Sequence, residues 1–236
     1  MIDLGQAPQR LHSAWDLALD LAARKPIGWT LIGAQMVALH GMEHGKLPPR
    51  ASEDLDILVN IRVMTRGTEQ FSRLLLELGL HLDGSSPTGL AHRFAGRGTK
   101  VDVLAPDGAG ERARLTTIPP GRTVMVPGGT KALAHTERVS VRLGVRLGEL
   151  PRPDLLGAIV VKSCAVDVDD APENQRRDLV FLLSLVDDPR AIAQMLDAKE
   201  RAILQRRSDL LDRDAPAWRS IDNAEDAYSA LRIIAS

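Results

Sequence analysis

The chain has one cysteine, Cys164, in 236 residues. A lone thiol forms no intrachain disulfide and builds no cysteine-rich zinc site, and it fits a reducing compartment. Aromatic residues are scarce, at 3%, which argues against a stacking platform for single-stranded nucleic acid. Charge of one sign is missing too. The formal net charge is −1, so the chain as a whole is not a basic nucleic-acid binder, although a local basic patch stays open. No apolar run approaches the roughly 18 residues that a membrane span needs. The opening stretch MIDLGQAPQRLHSAWDLAL brings Asp3 and Arg10 early and has no continuous apolar core, so it does not read as a signal peptide. The expectation is a cytoplasmic protein with no membrane partner.

What is present is ordinary globular material, with 44% hydrophobic and 26% charged residues. Residues 8–24 repeat Leu11, Trp15, Ala18, Leu19 and Ala22 at helical spacing. WTLIGAQ (29–35) reads as a short strand ending in a small-residue turn, and AQMVALHGMEHG (34–45) as a helix stopping near Gly45. DLDILVNI (54–61) is a strand with Ile57 and Val59 on one face and Asp54, Asp56 and Leu58 on the other. TRGTEQFSRLLLELGL (65–80) is an amphipathic helix, with Thr65 or Thr68 as its N-cap. AHRFAG (91–96) and TKVDVLAP (99–106) form an antiparallel pair about a GRG turn. Residues 106–133 are turn-rich, with a short strand over 123–126. After LPRP the pattern turns helical, over 153–166, 173–186, 188–212 and 223–234. The expected architecture is α/β (α+β): a mixed-sheet domain over 1–148 and a helical domain over 149–236.

The stretch SEDLDILV (52–59) carries the chemistry. On a strand, residues i and i+2 point to one face, so Asp54 and Asp56 project together. Two close carboxylates repel unless a cation or a proton neutralises them. Oxygen-only ligands suit Mg²⁺ or Mn²⁺, with phosphate oxygens and water completing the shell. Asp102, flanked by Val101 and Val103, points away from its apolar neighbours and becomes a third ligand or a base if its strand lies beside the first. Gly33 and Ala34 stand at a strand-to-helix turn, where small residues let backbone N–H groups approach a phosphate. Ser52 is placed on the side of Asp54, to touch a phosphate or to end the loop. Arg93 is a candidate nucleotide contact.

WTLIGAQMVALHG, RASEDLDILV, HRF and VDVLAP, followed by Lys162 and RRDLVFLL, resemble the minimal nucleotidyltransferases of the AbiEii/AbiGii toxin class. The resemblance is strongest over 29–106. It implies a DNA polymerase β-like nucleotidyltransferase domain followed by a helical domain. It implies that Lys162 faces the nucleotide phosphates and that Arg177 and Asp178 complete the site. It further implies an NTP substrate, an RNA (tRNA) acceptor and a cognate antitoxin as partner. Two departures stand out. Ala34 replaces the second Gly or Ser of the usual turn, and Arg177 replaces the usual Lys before the Asp.

The expected function is a Mg²⁺- or Mn²⁺-dependent nucleotidyltransferase acting on an acceptor hydroxyl. The alternatives are a degenerate nucleotide- or RNA-binding module and a small-molecule, antibiotic-modifying nucleotidyltransferase. Against each sharp reading stands a plain one. Asp54 and Asp56 also fit a solvated edge strand, Asp102 a structural strand-end residue, Lys162 a snorkelling lysine, and Arg177 and Asp178 a solvated helix start. HGMEH (40–44) matches the order of a zinc-protease motif, but Gly41 and Gly45 weaken the helix there and no third ligand stands out. GRGTK (96–100) and PGGTK (127–131) lack P-loop spacing. Cys164 reads as core.

Overall fold

The structure is a computed structural model that describes residues 1–110, 113 and 115–236. Glu111, Arg112 and Arg114, within the turn-rich stretch expected from the sequence, lie outside the described residues. In chain order the elements are β1 (Ile2–Asp3), α1 (His12–Arg24), β2 (Trp29–Ile32), α2 (Gly33–Glu43), β3 (Asp54–Val59), α3 (Gly67–Glu77), β4 (His81–Leu82), β5 (Arg93–Gly96) and β6 (Thr99–Pro106). They continue as β7 (Met125–Val126), α4 (Gly129–Ala134), β8 (Thr136–Leu143), β9 (Arg146–Pro153), α5 (Leu155–Ala165), α6 (Pro172–Leu183), α7 (Pro189–Met195), α8 (Ala198–Gln205) and α9 (Ala224–Ile234).

The main sheet has the strand order β2-β3-β6-β5-β4, with β7 added along β6. β3 and β6 run parallel; β2 and β5 flank them antiparallel. The sheet separates two cores by simple alternation. Leu31, Leu55, Ile57, Val59, Val101 and Val103 pack with Trp15 and Phe71 of α1 and α3. Ile32, Leu58 and Leu104 face the other way, onto α2 and the helical residues Ile159, Val161 and Leu179. The face of Asp54, Asp56 and Asp102 is therefore the one that the C-terminal helices cover. α5 is apolar nearly all round and buried over Leu156–Cys164, as a helix enclosed by others must be. Asp154 caps it, accepting from the Gly157 N–H at 2.8 Å.

Three sequence expectations change. The periodicity reading has no element over 136–153, where the structure has the β8–β9 hairpin, with β1 beside it. The aliphatic residues it buries are Val139, Val141 and Leu150, and the rest of its buried stretch is Pro151, Arg152 and Pro153, so its apolar signal is thin. The expected domain limit after residue 148 falls inside β9, and the helical part begins with α5. Neither Thr65 nor Thr68 caps α3: Arg66, at φ +55°, holds that position, and Thr68 donates to the Thr116 carbonyl at 2.6 Å. Among the described residues no helix is long and apolar enough to cross a membrane.

Arg152 in β9 is buried and joins β9 to α2 and β8 through ion pairs with Glu43 and with Glu137, the latter at 3.2 Å. The two glutamates keep roughly half their exposure. This asymmetry sets an expected result. Glu43→Gln/Glu137→Gln leaves a buried guanidinium uncompensated and should cost about 3 kcal/mol or more. Arg152→Met leaves two carboxylates that water can reach and should cost under about 1.5 kcal/mol. Urea denaturation of the two variants checks this; equal losses would contradict it.

Candidate active site

Pairing places Ile32 opposite Asp56, Asp56 opposite Asp102, and Asp102 opposite Arg93. These four form one row across β2, β3, β6 and β5, on one face of the sheet, with strands about 4.8 Å apart. Asp54 stands two residues along β3 on the same face. The strand neighbourhood expected for Asp102 is thus present.

Gly33 opens α2 at φ +68°, and a Cβ there would collide with the Asp56 carboxylate. No side chain caps α2, so its first N–H groups point outward beside that carboxylate. Gln35 of the first turn donates to the Ser52 carbonyl at 2.5 Å. The Ser52 hydroxyl accepts from the Asp54 N–H at 3.3 Å. Ser52 therefore fastens the loop to the strand start in this structure.

The helical part contributes the cations. Lys162 of α5 is 3% exposed and Asp178 of α6 is 1% exposed, and they pair at 2.6 Å. An ammonium this deep needs such a partner, because an uncompensated buried charge costs several kcal/mol. Lys162 also donates to Gln175 at 2.8 Å, and Gln175 donates to Asp169 at 2.7 Å. Arg177 is exposed on α6, with no ion pair among the described residues. The basic partner of Asp178 is Arg50, which grips both carboxylate oxygens at 2.9 and 2.6 Å. The sequence reading assigned Arg50 no role, although Arg50 opens the quoted stretch RASEDLDILV.

Arg93 holds Asp102 through both oxygens, at 2.8 and 2.7 Å. Its guanidinium is more firmly protonated than usual, first because of that hydrogen bond and then because of the Asp102 charge. Asp102 stands beside Asp56 as expected, but its carboxylate is engaged by Arg93. The register that brings Asp102 to Asp56 brings Arg93 to Asp102 as well. Among the described residues no three of His, Cys, Asp and Glu gather closely enough to hold a metal ion.

Asp56 is the electrostatic centre of the site. Asp56 is half-buried and lines a cleft. Burial pushes its pKa up to about 7; Asp102 and Asp54 add to this, and Lys162 and Arg93 oppose it. Four carboxylates (Asp54, Asp56, Asp102, Asp178) meet three cations (Arg50, Arg93, Lys162), and the unmatched charge lies on Asp54 and Asp56. Asp54 and Asp56 are the residues left that could hold a divalent cation. Mg²⁺ commonly takes one or two carboxylates and completes its shell with water and substrate phosphates. The cleft, about 240 Å³, is lined by Gly33, Asp56, Leu104, Val126, Lys162 and Gln175. A larger hollow of about 420 Å³ by Lys46, Phe181 and Asn223 has no paired carboxylates.

Against solved structures, the chain is similar to the crystal structure of an antigenic nucleotidyltransferase-like protein from Paracoccidioides brasiliensis. The likeness covers 95% of this chain and 94% of that one, with a TM-score of 0.53 and 12% identity. The fold is nucleotidyltransferase-like. No protein-family model matches the chain, and no curated protein matches it. At 12% identity the likeness reaches the fold and not the residues. The narrower AbiEii/AbiGii resemblance rests on the motifs quoted above.

The remaining motifs are structural. In HGMEH, the buried His40 hydrogen-bonds the Pro153 carbonyl at 3.0 Å, Glu43 pairs with Arg152, and His44 bonds the His40 carbonyl at 2.9 Å. Burial, then Arg152, pushes His40 down to about 3, so it stays neutral and donates that bond. Burial pushes Cys164 up to about 11, as suits a core thiol.

Proposed function

We propose that this chain is a nucleotidyltransferase, moving a nucleoside monophosphate from an NTP to an acceptor hydroxyl. The observation that carries the reading is the unmatched negative charge of Asp54 and Asp56, set against the Gly33 turn and beside Lys162. Asp54 and Asp56 would hold Mg²⁺ or Mn²⁺, which would supply charge neutralisation for the triphosphate. Backbone N–H groups at Gly33 and Ala34 bind phosphate oxygens at the uncapped helix start. Lys162, held by Asp178, neutralises the polyphosphate. Asp102 serves as a further ligand or as the base for the attacking hydroxyl once Arg93 turns to the nucleotide. The acceptor oxygen attacks the α-phosphorus in line; the bond to the β-phosphate oxygen breaks, and pyrophosphate leaves. Arg177, exposed on α6 and outside the buried cluster, would reach the nucleotide only from the solvent side.

The resemblance to the AbiEii/AbiGii class makes RNA, and tRNA within it, the acceptor we favour, with a toxin role opposed by an antitoxin. The test is label transfer from each α-labelled NTP, with Mg²⁺, to total RNA, beside Asp54→Ala/Asp56→Ala. Labelled RNA that disappears with the double variant is the expected result. Label on an added antibiotic and none on RNA would make the protein a small-molecule nucleotidyltransferase. One observation favours a second reading, a module that binds nucleotide or RNA without transfer: Arg93 already occupies Asp102. NTP binding with no transfer to RNA, protein or small molecules would establish that reading and overturn the first.

A further inference from the structure

We infer that Arg50 is a positioning residue for the polyphosphate end of this site: it fixes Asp178, and through Asp178 it fixes the direction of the Lys162 ammonium. The inference rests on the nucleotide-binding part of the reading above.

An ammonium has three N–H bonds set tetrahedrally. Two of those of Lys162 are committed, to Asp178 Oδ2 at 2.6 Å and to Gln175 Oε1 at 2.8 Å. Once two are fixed, the third direction follows. Lys162 lines the cleft that holds Asp56 and Gly33, and its charge acts on Asp56. The aim of that third N–H depends on Asp178 staying still. Asp178 Oδ2 also takes Arg50 Nη2 at 2.6 Å, while Oδ1 takes Arg50 Nε at 2.9 Å. A two-pronged guanidinium–carboxylate pair fixes the plane of the carboxylate, which a single-pronged contact does not. Without Arg50, the carboxylate can turn about its own axis and carry Lys162 with it.

Position in the chain adds a second consequence. Arg50 lies on the loop between α2 and β3, four residues ahead of Asp54, and lines a small hollow with Ala34, Gln35 and Ser52. Asp178 lies on α6. The pair therefore ties the loop that leads into the acidic strand to the helices that supply the cation. Two cations share one carboxylate here, so the pair of parts meets an incoming polyphosphate with surplus positive charge.

The test compares binding of an NTP and of its own monophosphate, both with Mg²⁺, to the intact chain and to Arg50→Ala, Arg50→Lys, Lys162→Ala and Arg50→Ala/Lys162→Ala. If Arg50 acts through Lys162, Arg50→Ala weakens NTP binding by about tenfold or more, the size of one lost charge-assisted contact. Monophosphate binding stays within about twofold, and Arg50→Ala adds less than about twofold once Lys162 is gone. Arg50→Lys restores part of the loss. Circular-dichroism melting confirms that each variant is folded, and Arg50→Lys carries the test if Arg50→Ala is not. Equal losses for NTP and monophosphate would show a merely structural loop staple and overturn the inference, as would fully additive losses with Lys162→Ala. If the unaltered protein binds NTP but transfers nothing, the transferase reading fails while this inference stands. If it binds no NTP, both fall.

Discussion

Asp56→Asn is expected to abolish transfer and, at the same time, to stabilise the protein at pH 8. The carboxyl has an ordinary value of 3.8 and rises to about 7 in the folded protein, chiefly through burial and then through Asp102. Between those two values the folded state binds the proton that the unfolded state has released. Stability therefore falls as pH rises from about 4 to 7, and the whole penalty is present above 7. A shift of this size corresponds to a few kcal/mol, at ~1.4 kcal/mol per unit. Asparagine keeps the shape and carries no charge, so the penalty disappears. The variant should gain stability over the unaltered chain at pH 8 and gain almost nothing at pH 4. Denaturant melts at the two pH values measure this, and a difference that does not change with pH would contradict the account. Transfer should fall by roughly 10³-fold, because several kcal/mol of charge stabilisation leave with the carboxylate. Mg²⁺ with NTP should raise the melting temperature of the unaltered chain and not that of the variant.

Gly33→Ala should produce the second large effect, in the opposite direction for stability. The residue sits at φ +68°, where an L side chain costs about 1–2 kcal/mol. An added Cβ also meets the Asp56 carboxylate, which must move. Gly45→Ala separates the two causes, since Gly45 has φ +66° and nothing within 4 Å of an added Cβ. Both variants should lose several degrees of melting temperature, at roughly 2–4 °C per kcal/mol for a chain of this size. Only Gly33→Ala should lose activity, by about a hundredfold, the usual effect of moving a reacting group by 1 Å. Equal activity in the two variants would mean that the Gly33–Asp56 contact is irrelevant to the chemistry.

The acidic face was legible because alternation in β3 and β6 leaves few choices. Leu55, Ile57, Val59, Val101 and Val103 must share a core, so Asp54, Asp56 and Asp102 must share the opposite face. The GRG turn was legible for a similar local reason: Arg97 and Gly98 both take positive φ, as a tight hairpin requires. Arg50 was not, because the ion pair spans 128 residues and nothing local marks it. The hold of Arg93 on Asp102 depends on cross-strand register, which the alternation of single strands does not supply. The β8–β9 hairpin stayed hidden because its edge is rich in charge; Arg138 pairs with Glu149 and Arg142 with Asp3 across it. Arg177 drew attention as the neighbour of Asp178 in sequence, yet adjacent helical residues point in different directions, and only Asp178 turns inward.

The most direct test of the central claim follows the two ends of the triphosphate. The protein is incubated with acceptor RNA, Mg²⁺ and one NTP labelled at either the α- or the γ-phosphate. The account predicts α-label joined covalently to the acceptor and γ-label released as pyrophosphate in equal amount, with both signals lost in Asp54→Ala/Asp56→Ala. Label from the γ position on the acceptor, or α-transfer that survives loss of both aspartates, would contradict it.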